Sequence, residues 1–169
     1  MDLELNYQNL IDSYKDNRGI FKKIFHNYNF NKKFDMKKIH QINVSFNPKK
    51  GTIRGMHFQK SKFKESKLVY CIAGKVIDIV VDIRSNSKYL YKCYKKILSA
   101  NKNDFMYVPE GFAHGFQVLE KNTILIYLHN KPYSKSSSFT INPFDPKIKI
   151  KWPLKVTEIS KNDMRAKFI

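Results

Sequence analysis

The sequence predicts an all-β fold of antiparallel strands, a sandwich or barrel in one domain, and three observations carry this. Short segments rich in Val, Ile, Phe and Tyr recur every ten or so residues, separated by Gly, Asn, Asp and Ser turns. The clearest segment, KVIDIVVDIR at 75–84, alternates along its length. Ile77, Ile79, Val81 and Ile83 share one face, and Val76, Asp78, Val80, Asp82 and Arg84 share the other. The 169 residues suffice for one domain with a real core, and no repeat or domain-sized linker divides them.

Taken in order, residues 1–15 form a short helix or an extended arm, and DNRG at 16–19 is a turn. The stretch 20–25 is a strand or one helical turn, and 34–47 ends in strand-like alternation. KKGT at 49–52 is a turn leading into the strand IRGMHFQ at 53–59. Strands follow at 67–74, 75–84, 91–99, 105–109 and 123–130, with a loop at 85–89 and a turn at 100–104. EGFAHGFQVLE at 110–120 is a turn and a strand, and the tail 152–169 adds a short helix. The expected organisation is one domain over 1–169, with an N-terminal arm to about 33, a barrel core to about 150 and a C-terminal tail.

Composition narrows the function classes. Hydrophobic residues make up 42% and aromatics 14%, a globular rather than a disordered balance. The formal net charge of +18 taken alone suggests nucleic acid or an anionic surface. Nearly all of it is Lys, dispersed along the chain in an Asn-rich background, so it reads as compositional bias. The resulting field favours an anionic small ligand such as a nucleotide diphosphate, and no nucleic-acid partner is expected. Only four Arg occur, Arg18, Arg54, Arg84 and Arg165, and an Arg among so many Lys marks a need for its planar, bidentate fork. The most apolar run, 68–83, is interrupted by Lys75, Asp78 and Asp82, so no membrane partner is expected. The N-terminus lacks the pattern of a signal peptide. Cys71 and Cys93 make neither a disulfide framework nor a zinc pattern, and the expected location is cytoplasmic, with reduced thiols.

Two stretches concentrate polar groups. GTIRGMHFQ at 51–59 places Arg54, His57 and Gln59 within six residues, with His57 and Gln59 on one strand face. PEGFAHGF at 109–116 is a Pro-x-Gly-x-x-His turn that sets His114 near the start of a strand, pointing inwards. This second pattern resembles a motif of the cupin, or jelly-roll, superfamily. Metal-binding cupins carry His-x-His and a downstream Glu in the first motif, where this chain has His57-Phe58-Gln59. A Gln carbonyl is a poor partner for a transition metal that favours imidazole and carboxylate, so no metal is expected.

Over about Asp16 to Asp163 the chain resembles the dTDP-4-dehydrorhamnose 3,5-epimerases and their nucleotide-sugar epimerase relatives. The resemblance is carried by DNRGIF, QINVS, TIRGMHFQ, SKLVYCIAGKVIDIVVDIR, LSANKNDFMYVPEGFAHGFQVLE, IYLHNKPYS, IKWP and EISKND. It implies an all-β cupin jelly-roll barrel with short terminal additions, no cofactor, and a nucleotide-diphosphate sugar with a C4 ketone as substrate for surface polysaccharide synthesis. Hydrogens on C3 and C5 flank that carbonyl, so inversion needs a base, an acid across the ring and a cation at the developing oxyanion. Matched by position, His57 resembles the base, Asp163 its carboxylate partner, Tyr127 the acid, and Lys67 the cation beside the C4 oxygen. Arg54, Gln59, His114 and Tyr133 resemble substrate-binding positions, and Arg18, Gln41 and Asn43 resemble positions around the nucleotide. Asp78 either pairs with Lys67 inside the barrel or lies on a solvated outer face. In such relatives the N-terminal segment often crosses to a partner subunit, which implies a homodimer.

Four positions depart from the family pattern. Lys23 stands where a Glu is usual, Ser138 near another usual Glu, Asn162 where a Lys is usual, and Pro132-Tyr133 replaces a Tyr-Tyr pair. They imply kept proton chemistry with altered recognition: the base need not be thymine, a dTDP-4-dehydro-6-deoxyglucose type, a GDP-linked 4-keto heptose or another 4-keto sugar is compatible, and inversion is open at C3, C5 or both. The alternatives are a cupin that binds a sugar nucleotide without turning it over, and a metal-dependent cupin enzyme.

Overall fold

A computed structural model of the chain describes residues 10–26, 30 and 34–169. The strands are β1 (Asp12–Asp16), β2 (Gly19–Lys23), β3 (Gln41–Asn47), β4 (Thr52–Gln59), β5 (Lys67–Ala73) and β6 (Lys75–Asp82). They continue with β7 (Cys93–Ser99), β8 (Met106–Val108), β9 (Phe112–Val118), β10 (Thr123–His129), β11 (Ser138–Thr140) and β12 (Glu158–Ile159), and the helix α1 spans Lys161–Met164. One sheet has the order β3-β10-β5-β8 and the other β11-β4-β9-β6-β7. β12 joins the second sheet by a parallel pairing with β4, while the other pairings are antiparallel. This is the predicted all-β, jelly-roll arrangement.

Alternation explains how the sheets face each other. Val69 and Cys71 of β5 and Leu125 of β10 meet Val76 and Val80 of β6 and Phe112, Phe116 and Val118 of β9 in the central core. The opposite faces are covered too. Leu68, Tyr70 and Leu128 lie under Ile11, Phe30, Phe34 and Met36 of the N-terminal segment. Ile79, Val81 and Ala113 lie under Ile141 and Ile148, with Trp152 and Ile169 packed beside them. Ile141 and Ile148 each contribute about 1.5–3 kcal/mol by leaving water, which fixes the tail on the sheet. The terminal additions are the outer covers of the two sheets, so β6 and β9 are buried on both faces and the solvated face once open to Asp78 is excluded.

The N-terminal 1–9, part of the predicted arm, lies outside the described residues. From Asp12 the arm is a β-hairpin, with Asp16 opposite Gly19 across the predicted turn. The hairpin is largely exposed, touching the body through Lys22 on the Ala100 carbonyl and Asn103 on Ser13. β3 is an edge strand with its usual polarity reversed. Asn43, Ser45 and Asn47 make their side-chain bonds to β10 residues and Arg54, whereas Ile42, Val44 and Phe46 alternate with them at 62%, 50% and 68% exposure.

Candidate active site

Between the two sheets opens a cavity of about 690 Å³, lined among others by Arg54 and His57 of β4, His114 of β9, Lys67 of β5, and Tyr127 and His129 of β10. β4 carries one residue more than β9 between the pairs Arg54↔Phe116 and His57↔His114. That bulge brings Arg54 and His57, three apart, to the same cavity, which strict alternation forbids. It rests on close backbone contact. Gly55 has φ +135°, and a Cβ there would stand 2.6 Å from the Gly115 Cα, while one on Gly115 would stand 2.8 Å from the Arg54 carbonyl.

Asp163 reaches His57 from the far end of the chain. β12 docks on β4 through Glu158↔Thr52 and Ile159↔Ile53, and Ser160 then caps α1 by accepting the Asp163 N–H at 3.0 Å. The Asp163 carboxylate lies 2.8 Å from His57 Nε2 and also accepts the Gly55 N–H at 3.2 Å. A neutral His57 therefore carries its proton on Nε2 and leaves the Nδ1 lone pair free. Burial works to raise the Asp163 carboxyl, but His57, Gly55 and Ser160 outweigh it and hold the group below its ordinary value.

Behind His57 lies a second pair. His114 Nε2 donates to both Asp78 oxygens, at 3.0 and 2.9 Å, and Asp78 is fully buried. Asp78 thus faces inwards, as one of its two expected placements had it, but its partner is His114 rather than Lys67, because Asp78↔Phe116 and Val80↔His114 set the two side chains diagonally on the inward face. Burial, the largest influence, pushes His114 down, Asp78 counters it and Lys67 adds to it, and the imidazole ends below its ordinary value. Lys67 is paired instead with Glu65, 3.7 Å away. Glu65 also accepts from His129 Nδ1 at 2.8 Å. Burial pushes the Glu65 carboxyl up, but His129 and the Lys67 charge bring it below its ordinary value.

Tyr127 projects from the opposite sheet to His57, with its ring 6.3 Å from His114 and 6.2 Å from His129. Burial pushes its phenol well up, and its oxygen lies 3.1 Å from Ser45 Oγ. Arg54 donates through Nε to Asn47 at 2.8 Å. Asn43 donates to His129 Nε2 at 3.3 Å and accepts from Gln41, which in turn accepts the Tyr133 N–H at 2.9 Å.

Three expected ligand positions are placed differently. Gln59 lines the cavity but is 6% exposed, donating to the Phe63 and Pro132 carbonyls and accepting the Ser134 N–H, so its polar atoms join two loops. Arg18 lies outside the cavity at the hairpin tip, 91% exposed and paired with Asp16. Asp78 is sealed behind His114. Of the departures from the family pattern, Tyr133, Ser138 and Asn162 line the cavity, while Lys23 pairs with Asp12 on the hairpin. Sequence reasoning missed Ser45, Asn47, Glu65 and His129. The polar residue at every second position of QINVSFN is the signal for the first two, and Glu65 has none. Among the described residues no cluster of three or more His, Cys, Asp or Glu is arranged to hold a metal ion, both cysteines are free, and no helix is long and apolar enough to cross a membrane.

These shifts predict an acid response in two stages. His114, Asp163 and Glu65 all bind protons more weakly folded than unfolded. Each therefore stabilises the fold fully above its unfolded value, and that contribution is lost as the pH falls through the folded one. The thermal midpoint followed by circular dichroism is expected to decline first below about pH 6.5, as unfolded histidine takes up protons, and again below about pH 4. A midpoint flat from about pH 7 to about pH 4 would contradict the assignment of His114 as a neutral buried imidazole.

Residues 7–169 match the model of the family described as dTDP-4-dehydrorhamnose 3,5-epimerase. A dTDP-4-dehydrorhamnose 3,5-epimerase of Shigella flexneri is 35% identical over 155 residues, covering 91% of this chain and 86% of the relative. The crystal structure of the enzyme of that name from Bacillus anthracis, with TDP and PPi bound, superposes with a TM-score of 0.90 at 31% identity, over 94% of this chain and 91% of that one. The dTDP-6-deoxy-D-glucose-3,5-epimerase of Legionella pneumophila, in complex with dTDP-4-keto-L-rhamnose, gives 0.88 at 35% identity, over 94% and 84%.

Proposed function

This chain belongs to the dTDP-4-dehydrorhamnose 3,5-epimerase family, and from that premise we propose that its cavity inverts C3, C5 or both of a dTDP-linked 4-keto-6-deoxy sugar without a cofactor. The chain is an isomerase, an epimerase of nucleotide-linked 4-keto sugars. The observation that carries the mechanism is the pair of proton-transfer groups on facing sheets, His57 on β4 and Tyr127 on β10, lining one cavity.

His57 Nδ1 takes the proton from the carbon beside the ketone, and the C–H electron pair moves into an enolate. Its negative charge collects on the C4 oxygen, where the Lys67 ammonium stabilises it. Asp163 holds the His57 tautomer and offsets the charge of the imidazolium. Tyr127 then delivers its proton to the same carbon from the other face, which inverts the centre. Solvent removes the proton from His57 and restores the one on Tyr127. Arg54 presents its terminal nitrogens, which have no partner among the described residues, to the diphosphate or sugar oxygens. Supplied with dTDP-4-keto-6-deoxyglucose in deuterium oxide, the protein is expected to place deuterium at C3, C5 or both, read by NMR. Absence of exchange in folded protein would overturn the reading. Thermal shifts with dTDP, UDP, GDP and CDP test the nucleotide, with dTDP expected to stabilise most.

The same reading makes the protein a homodimer. Tyr14, Ile20 and Phe21 of the hairpin and Ile42, Val44 and Phe46 of β3 are exposed, an apolar surface suited to a second copy. Arg18 joins a nucleotide site only where the hairpin reaches another subunit's cavity. Light scattering is expected to give twice the 20.0 kDa of one chain, and Phe21→Glu combined with Phe46→Glu a single-chain mass. A monomeric wild type would refute this arrangement.

A further inference from the structure

Two side chains, Ser45 and Asn47, connect Tyr127 to Arg54, and the hydrogen bonds at Asn47 have fixed directions. Arg54 only donates, so the Asn47 carbonyl oxygen faces it at 2.8 Å. The Asn47 amide nitrogen therefore faces the other way, donating to Ser45 Oγ at 3.1 Å and to the Thr123 carbonyl at 3.2 Å. Asn47 is 1% exposed with both ends engaged, so this orientation is fixed. Ser45 Oγ accepts from Asn47 and lies 3.1 Å from the Tyr127 oxygen, to which its O–H can donate once that oxygen has lost its proton. The pairings Ser45↔Leu125 and Asn47↔Thr123 carry both residues along the strand that bears Tyr127.

We propose that Ser45, oriented by Asn47 and through it by Arg54, is a positioning residue that donates a hydrogen bond to the phenolate formed when Tyr127 gives up its proton. The proposal rests on the reading of Tyr127 as the acid. In that step the proton passes from Tyr127 Oη to the sugar carbon, the O–H electron pair stays on Oη, and Ser45 keeps its own proton. Tyr127 is half-buried against the core, so its phenolate is only partly hydrated, and a fixed donor supplies part of the missing solvation. Burial raises the Tyr127 phenol while the Ser45 contact and the Arg54 charge oppose it.

The test separates the two halves of the reaction. With dTDP-4-keto-6-deoxyglucose in deuterium oxide, wash-in with retention reports the His57 half and inversion reports the Tyr127 half. Ser45→Ala is expected to slow inversion by about tenfold or more, the worth of a hydrogen bond to a charged group, while wash-in and KM stay near wild type. Ser45→Thr keeps the hydroxyl and restores inversion. In a Tyr127→Phe background Ser45→Ala adds nothing further. Equal loss of wash-in and inversion, a raised KM with kcat intact, or additivity with Tyr127→Phe would overturn the relay and leave the epimerase reading standing. A wild type that exchanges no deuterium would overturn both.

Discussion

His57→Gln is expected to lower deuterium incorporation, at whichever of C3 and C5 exchanges in the wild type, by about 10²–10⁴-fold, the range typical of a lost general base. Gln is the informative replacement because its amide can still donate to the Asp163 carboxylate, 2.8 Å from the imidazole in the wild type. The buried carboxylate then keeps a partner, and the loss reports the missing base rather than a stranded charge. dTDP binding, measured by calorimetry, is expected to stay near wild type, since Arg54 and the β3 amides are untouched. Exchange at wild-type rate in His57→Gln would remove His57 from the reaction. Loss of binding together with loss of rate would make it a ligand contact instead.

Tyr127→Phe is expected to produce a different defect. Inversion falls by about 10²-fold or more, while deuterium still enters the carbon next to the ketone from the His57 side, with retention. The two groups stand on facing sheets, and nothing in the proton abstraction requires the phenol. Removal of one buried hydroxyl costs about 1 kcal/mol of stability, far too little to unfold the protein. The measurement is the ratio of retained to inverted deuterated sugar by NMR. An unchanged ratio would assign the acid to another group, and the adjacent His129 ring is then the first to test.

Much of the fold was legible because its strands are short, alternate, and end at Gly, Asn or Asp. The contact between His57 and Asp163, 106 residues apart, followed from motifs matched in order. What escaped depends on pairing between strands. For Asp78 the sequence left open a pairing with Lys67 or a solvated face, yet its position on β6 relative to β9 gives it His114. Strand parity alone separates Arg54 from His57, and only the extra β4 residue opposite β9 reunites them. Gln59 looked like part of the ligand surface, but whether a side chain at a strand end turns to the cavity or to neighbouring loops depends on where those loops return. The double burial of β6 was hidden for the same reason: the chain that covers its outer face arrives some sixty residues later, at Ile141 and Ile148.

The reversed polarity of β3 divides its residues between two masters. Asn43, Ser45 and Asn47 answer to the cavity, and Ile42, Val44 and Phe46 answer to whatever meets the outer surface. Because side chains alternate with a period of two, each set can drift by substitution without disturbing the other. A change in length has no such freedom. Inserting or deleting one residue within 41–47 would exchange the sets in one step, greasing the cavity and charging the outer wall with amides. A point change in this segment is therefore expected to disturb one side only, the cavity or the outer surface, whereas an indel disturbs both, and deep mutational scanning of β3 would read that asymmetry directly.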